Sequence, residues 1–320
     1  MIRLINGILL SSLLFVGLLL VIAMLGAPGF ARLTRPNSQG YIHDVIELKL
    51  RVAKSTPSPK IVVVSGSGGL YSISCTVLSR ELRMPCVNEG LPIDIGVPGL
   101  LEQGRATAKP GDIIFMPLEF PAYYTDAYSG GSGRAAQGGM IDRIRGADLR
   151  RLFRVDLRYV ITGIAERIMW AYGYRAYSLE TMFAPNADRI GTSAAAAEVH
   201  RSRRAATAPN IFSGIMTNGF RAAMTDFLQW AHSNGITVVA TLPTVYHDTV
   251  VERDGLSKMA RFYTNRNAVF YLPEDLYRYD RDCFFDGDPH LNLEWQAIHS
   301  SKVARDLLRV VPDYFQRHGG

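Results

Sequence analysis

Between residues 60 and 120 the chain alternates short apolar runs with longer stretches of helical periodicity, and the alternation returns between 220 and 310. Residues 60–64 and 113–116 are compact β-branched or apolar runs, the pattern of strands buried on both faces of a parallel sheet. Residues 84–88 form a further strand candidate. Helical spacing covers 72–83 and 99–108, and the turn Lys109, Pro110, Gly111, Asp112 feeds the third strand. The second half adds a helix at 220–233, strands at 236–242 and 268–272, and a final helix at 293–309. Strands and helices alternating at this spacing predict a layered α/β domain.

Three stretches fall outside that rhythm. Residues 121–215 hold a glycine-rich segment at 130–139, helical spacing at 148–172 and an alanine run at 194–197, and are read as a helical insertion after the third strand. It is expected near the carboxyl edge of the sheet, where ligands bind in such folds. Residues 32–59 are a polar linker with a short helix around 45–52, ended by Pro57 and Pro59. Residues 1–31 carry an apolar run at 8–27; at ~1.5 Å per residue it spans ~30 Å, one hydrocarbon core. That length favours a retained transmembrane anchor, while Gly29, Phe30 and Ala31 offer a weak cleavage site for a leader. Either reading exports the domain at 60–320, although Arg3 on one side of the span and Arg32 and Arg35 on the other encode orientation poorly.

The net charge of +6 is concentrated at Arg143, Arg145, Arg150, Arg151, Arg154 and Arg158, and again at Arg201, Arg203 and Arg204. Beside a membrane segment and without a nucleic-acid module, such faces suit anionic lipid or glycan before nucleic acid. A plain solvated face is the bland alternative. The three cysteines, Cys75, Cys86 and Cys283, show neither metal-ligand spacing nor a redox pair. One disulfide could form in an oxidising compartment, though three cysteines cannot all pair within one chain, and buried free thiols at Cys75 and Cys86 would be unremarkable.

The chemistry concentrates at two places. Ser65, Gly66, Ser67, Gly68 and Gly69 make a tight turn between the first strand and first helix, where Ser67 can expose its hydroxyl at the sheet edge. Near the end, Asp286, Gly287, Asp288, Pro289 and His290 set two carboxylates beside a histidine. Histidine can serve as base to a serine when an acid fixes its tautomer. Bland readings are a capping serine and a polar loop. A P-loop is excluded by the missing lysine, and a dinucleotide site by the incomplete glycine pattern. No cofactor is expected. Asp286, Asp288 and His290 alone make a poor metal site, because no second ligand cluster accompanies them.

These blocks resemble the SGNH/GDSL hydrolase superfamily, particularly its membrane-anchored bacterial branch linked to cell-surface polymer modification. Ser65, Gly66 and Ser67 after residues 61–64 resemble its first block. Val87, Asn88, Glu89, Gly90 and Leu91 resemble the second, residues 109–116 the third strand, and residues 284–292 the terminal acid–histidine block. The resemblance covers roughly 60–120 and 220–310. It implies a three-layer α/β/α fold, Ser67 as nucleophile and oxyanion donor, His290 as base then acid, and Gly90 as a second oxyanion donor. The usual acid position, three before the histidine, is Gly287 here, so Asp286 is preferred over Asp288. Glu119 stands near where an asparagine is usual and is placed at the site mouth.

The implied activity is an esterase, deacetylase or O-acyltransferase acting on an extracytoplasmic glycan or acylated envelope polymer. The implied location is the outer face of a bacterial inner membrane, with polysaccharide synthesis or export proteins as partners. The rival reading is a non-catalytic relative that binds glycan or organises such a complex. Lower-ranked candidates are Trp170, Tyr172, Tyr174 and Tyr177 as a carbohydrate platform, and His247 with Asp248 as an alternative base and acid.

Overall fold

A computed structural model describes residues 11–12, 15–17, 37–125, 178–206 and 211–318. The chain divides into two units, one of residues 1–43 with 135–177 and one of 44–134 with 178–320. In the first unit, residues 11–12 and 15–17 are helical, as is the start of the helix at Asn37–Ser55. No helix among the described residues is long and apolar enough to cross a membrane, and most of the run at 8–27 lies outside them. The helices expected at 148–172, the glycine-rich segment, the first arginine cluster and the tyrosines at 172–177 also lie outside them.

The second unit is built on five parallel strands: β1 Ile61–Val63, β2 Cys86–Asn88, β3 Ile113–Met116, β4 Thr237–Ala240 and β5 Val269–Phe270. Their spatial order is β2-β1-β3-β4-β5, with every neighbouring pair parallel. Alternate residues of each strand face opposite sides. Ile61, Val63, Ile113, Phe115 and Val239 belong to one apolar cluster with Leu78, Leu82, Val303 and Leu307. These come from helices α3 Cys75–Leu82 and α7 Leu293–Val310. On the other side, Val64 packs toward Gly104 of α4 Gly96–Thr107, where Phe227 of α5 Asn218–Ser233 also arrives. The result is a mixed α/β unit with helices on both faces of a parallel sheet.

The edges of the elements carry the specific chemistry. Lys60 and Asp112 form a fully buried ion pair at 2.8 Å beneath β1 and β3, and Asp112 also takes the backbone N–H groups of Lys60 and Lys109. The first helical stretch is longer than expected and broken. It comprises α2 Ser67–Ser72 and α3, separated by extended backbone at Ile73 and Ser74. The break is held by Asp188, whose carboxylate accepts the N–H of Cys75 at 2.7 Å and of Thr76 at 2.9 Å. A carboxylate at a helix amino end satisfies orphan donors and favours the dipole.

The linker helix is also longer than expected, α1 at Asn37–Ser55 rather than a short piece around 45–52. Lys49 on it is fully buried, donating to the carbonyls of Asn88 and Ala187. Cys75 and Cys86 form a disulfide between α3 and β2, while Cys283 is a buried free thiol.

Candidate active site

In a sheet of this order, the crevice lies where the direction of strand addition reverses, between β1 and β3, at the carboxyl ends of the strands. Ser67 leaves β1 at that point and Glu119 leaves β3. A hairpin of Phe284–Gly287 with His290–Leu291 comes in over them. Gly287 pairs with His290 across the turn, so Asp286 stands next to the imidazole even though it is four residues away in sequence.

Three side chains form one hydrogen-bonded line. Asp286 Oδ1 lies 2.7 Å from His290 Nδ1, and His290 Nε2 lies 2.8 Å from Ser67 Oγ. An ionised carboxylate can only accept, so Nδ1–H donates to it and the Nε2 lone pair faces the serine hydroxyl. Burial alone would raise the Asp286 carboxyl. The His290 hydrogen bond and the charges of His290, Arg203 and His200 outweigh it and hold the group below the usual carboxylate range. Arg203 Nη1 stands 3.9 Å from Asp286 Oδ2. Asp288 takes no part in this line; it stands in the pocket wall beside Tyr246, whose hydroxyl is raised by burial and by the Asp288 charge.

Glu119 is buried at the base of the turn. Its Oε1 accepts the Gly68 N–H at 2.5 Å and its Oε2 the Gly66 N–H at 3.0 Å. Both glycines are required by this approach: a Cβ on Gly66 would lie 2.3 Å from Glu119 Oε1, and one on Gly68 would lie 2.8 Å from Pro289 Cγ. Burial pushes the Glu119 carboxyl up, against the pull of those N–H groups and of His290. Gly90 packs against Leu70, and its N–H donates to Asn88 Oδ1 at 3.0 Å. It does not line the pocket at Ser67. The oxyanion donor implied for that glycine is therefore committed to a side chain, because Asn88 is itself pinned by the carbonyls of Gly69 and Ile73.

The pocket at Ser67 has a volume of about 210 Å³, walled by Ile93, Phe120, Pro243 and Val245 together with Glu119 and the hairpin. Ligand pockets for whole drug-sized molecules are ~300–1,000 Å³. This one suits a short acyl group beside a serine.

Several further residues support the site. The Tyr71 ring stacks on the His290 imidazole, 4.3 Å between centroids and 20° from parallel. Tyr71 is four residues after Ser67 on the same helix, so helical spacing could have found it. The hydroxyls of Ser72 and Thr244 bind the Pro289 carbonyl at 2.7 and 2.8 Å, fastening the hairpin to α2. Thr244 carries no local pattern. Arg204, expected on a solvated face, is buried and donates to the Phe285 carbonyl at 2.8 Å, so it braces the same hairpin. His247 and Asp248 stand apart from the pocket lining, with Asp248 paired to Arg281 at 2.9 Å. Among the described residues no group of three or more His, Cys, Asp or Glu is placed to hold a metal ion. No family model, curated protein or solved structure matches the chain.

Proposed function

We propose that the protein is a serine-dependent esterase, deacetylase or O-acyltransferase of the SGNH/GDSL type, acting on an extracytoplasmic glycan or envelope polymer. The observation that carries this reading is the continuous Asp286–His290–Ser67 line at 2.7 and 2.8 Å. Ser67 Oγ attacks an ester carbonyl while His290 Nε2 takes its proton. The same nitrogen returns the proton to the departing alkoxide, leaving an acyl-serine. Water or a sugar hydroxyl then gives its proton to His290 and attacks the acyl carbonyl, and Ser67 Oγ leaves with that proton, taken back from Nε2. Water as acceptor gives hydrolysis; a sugar hydroxyl gives transfer. Asp286 keeps Nδ1 protonated throughout. The Ser67 N–H is the proposed oxyanion donor.

The small pocket supports a short acyl group. The Cys75–Cys86 disulfide and the apolar run at 8–27 support an anchored domain facing an oxidising compartment, as at the outer face of a bacterial inner membrane, and the helices packed on both faces of the sheet support a three-layer fold. A non-catalytic role beside polysaccharide synthesis or export proteins is the second reading. It is favoured by Glu119, which occupies two backbone donors close to the serine.

The test is intact-mass detection of fluorophosphonate labelling on the purified full-length chain. Labelling should appear in the wild type, vanish in Ser67→Ala and slow strongly in His290→Ala. Absence of labelling in folded wild type would favour the binding role.

A further inference from the structure

We infer that the protein has a second binding site, a preformed cationic pocket for an anionic glycan, which holds the polymer while its acyl group is handled at Ser67. The ligand class rests on the glycan reading above; the pocket itself does not. It has a volume of about 620 Å³, against about 210 Å³ at the serine. That lies within the ~300–1,000 Å³ usual for ligand sites.

The pocket is formed by α5, by α6 Arg253–Thr264 and by the segment 214–216. Arg221, Lys258, Arg261 and Arg266 line it, with Asn265 between them and the buried ring of Phe262 beneath. None of the four basic side chains has a carboxylate partner among the described residues. Carboxylates on the neighbouring elements do not fill the gap: Asp226 of α5 is bound by Arg105 at 2.6 Å, and Asp254 of α6 pairs with none of the four. Four like charges converging on one concavity repel one another until an anion enters.

The walls are fixed before binding. The Arg266 guanidinium lies 4.1 Å from the Phe262 ring centroid, with Nε on Thr225 Oγ1 and Nη1 on the Phe262 carbonyl, both at 2.8 Å. Nη2 is left with no bond to another described residue. Gly214 and Gly255 meet backbone to backbone, so closely that a Cβ on Gly214 would lie 2.1 Å from Gly255 Cα. Guanidinium forks match carboxylate and phosphate oxygens, and the Asn265 amide can both donate to and accept from sugar hydroxyls. A concave cationic site suits a carboxylated or phosphorylated glycan better than a flat bilayer surface.

Aromatic contacts join the two pockets. Phe120, in the wall at Ser67, stacks on Phe212 at 4.3 Å. Tyr123 touches Phe212 and Phe220, and Phe220 lies 6.0 Å from Phe262 under the second pocket.

The experiment is calorimetric titration of the full-length chain, in a neutral detergent, with tetragalacturonate and with maltotetraose. Wild type should bind the anionic tetramer, more weakly as salt rises, and ignore the neutral one. The Arg221→Gln/Lys258→Gln/Arg261→Gln variant should bind at least about tenfold more weakly, since each lost charged contact is worth roughly that factor. Its melting temperature should not fall, since charge repulsion in the empty pocket is relieved, and its fluorophosphonate labelling should stay unchanged. Should that variant fail to fold, Lys258→Glu at its exposed position must still weaken binding. Unchanged affinity in the variants, equal binding of maltotetraose, or capture of phosphatidylglycerol vesicles with no tetragalacturonate binding would overturn the proposal. Binding lost in the variant while wild type resists labelling would sink the serine chemistry and leave the pocket standing.

Discussion

At the scale of single residues, the site is a contest between two carboxylates and between burial and hydrogen bonding. Asp288 is nearer to His290 in sequence, two residues away against four, but only Asp286 bonds Nδ1. Asp286→Asn should therefore slow fluorophosphonate labelling by up to about 10⁴-fold, the loss seen when a triad acid is neutralised and the imidazole tautomer goes wrong. Asp288→Asn should change labelling by far less, and the two rates measured side by side check the assignment. Glu119 makes the opposite kind of prediction. Its carboxyl is raised above the ordinary 4.5 by burial, so the folded state holds its proton longer than the unfolded chain does. Its contribution to stability is full below the unfolded value and is lost as pH rises through the folded one. Glu119→Gln leaves one glycine N–H without its acceptor, a fixed cost. Relative to wild type, its unfolding free energy in urea should nonetheless improve as pH climbs from 4.5 through the folded value, and level off above it. Improvement toward acid instead would mean that the Gly66 and Gly68 N–H groups outweigh burial. Asp286, held low, acts the other way, and its share of stability disappears as pH falls through its folded value.

At the scale of elements, pattern located strands well and element ends poorly. The third strand, at Ile113–Met116, coincides with the apolar run that announces it. Helix α1 runs from Asn37 to Ser55, beyond both ends expected for it, and Lys49, a polar residue by pattern, is buried on the carbonyls of Asn88 and Ala187. The break between α2 and α3 has its cause at Asp188, more than a hundred residues away. The hairpin, too, is a tertiary product: its turn gives Asp286 to His290, but Ser72, Thr244 and Arg204 hold it over Ser67. Local contacts also close element ends: the Asn292 side chain accepts the Trp295 N–H and caps α7. The Lys60–Asp112 pair is the sharpest element-scale test. Asp112→Ala strands a fully buried ammonium and removes the acceptor of two backbone N–H groups that fix where β1 and β3 begin. Breaking a buried pair on one side costs about 3–5 kcal/mol. Denaturant unfolding should show a loss of that size, far above the fraction of a kcal/mol expected for the exposed pair Arg80–Glu81.

At the scale of the whole molecule, covalent closure and sheet order decide how the parts meet. The Cys75–Cys86 disulfide closes a loop with a sequence separation of 11 between α3 and the edge strand β2. By loop-closure entropy such a bond contributes about 2–3 kcal/mol. Reduction, or Cys75→Ser with Cys86→Ser, should lower the melting temperature by several degrees, whereas Cys283→Ser should leave the effect of reductant unchanged. The sequence by itself determined the class of the fold, since buried parallel strands must be short and apolar while the helices between them keep a 3.6-residue period. It also brought Ser67 and His290 forward as candidates, because a serine on a glycine turn and a histidine flanked by acids are local patterns. Tertiary structure alone decided which acid binds His290, that Glu119 claims the Gly66 and Gly68 donors, that Gly90 is spent on Asn88, and that Arg221 joins Lys258, Arg261 and Arg266 around one pocket. The physical reason is range. Periodicity and turn chemistry act over a few residues of chain, whereas a buried charge or donor takes whichever partner the packed sheet brings within about 3 Å.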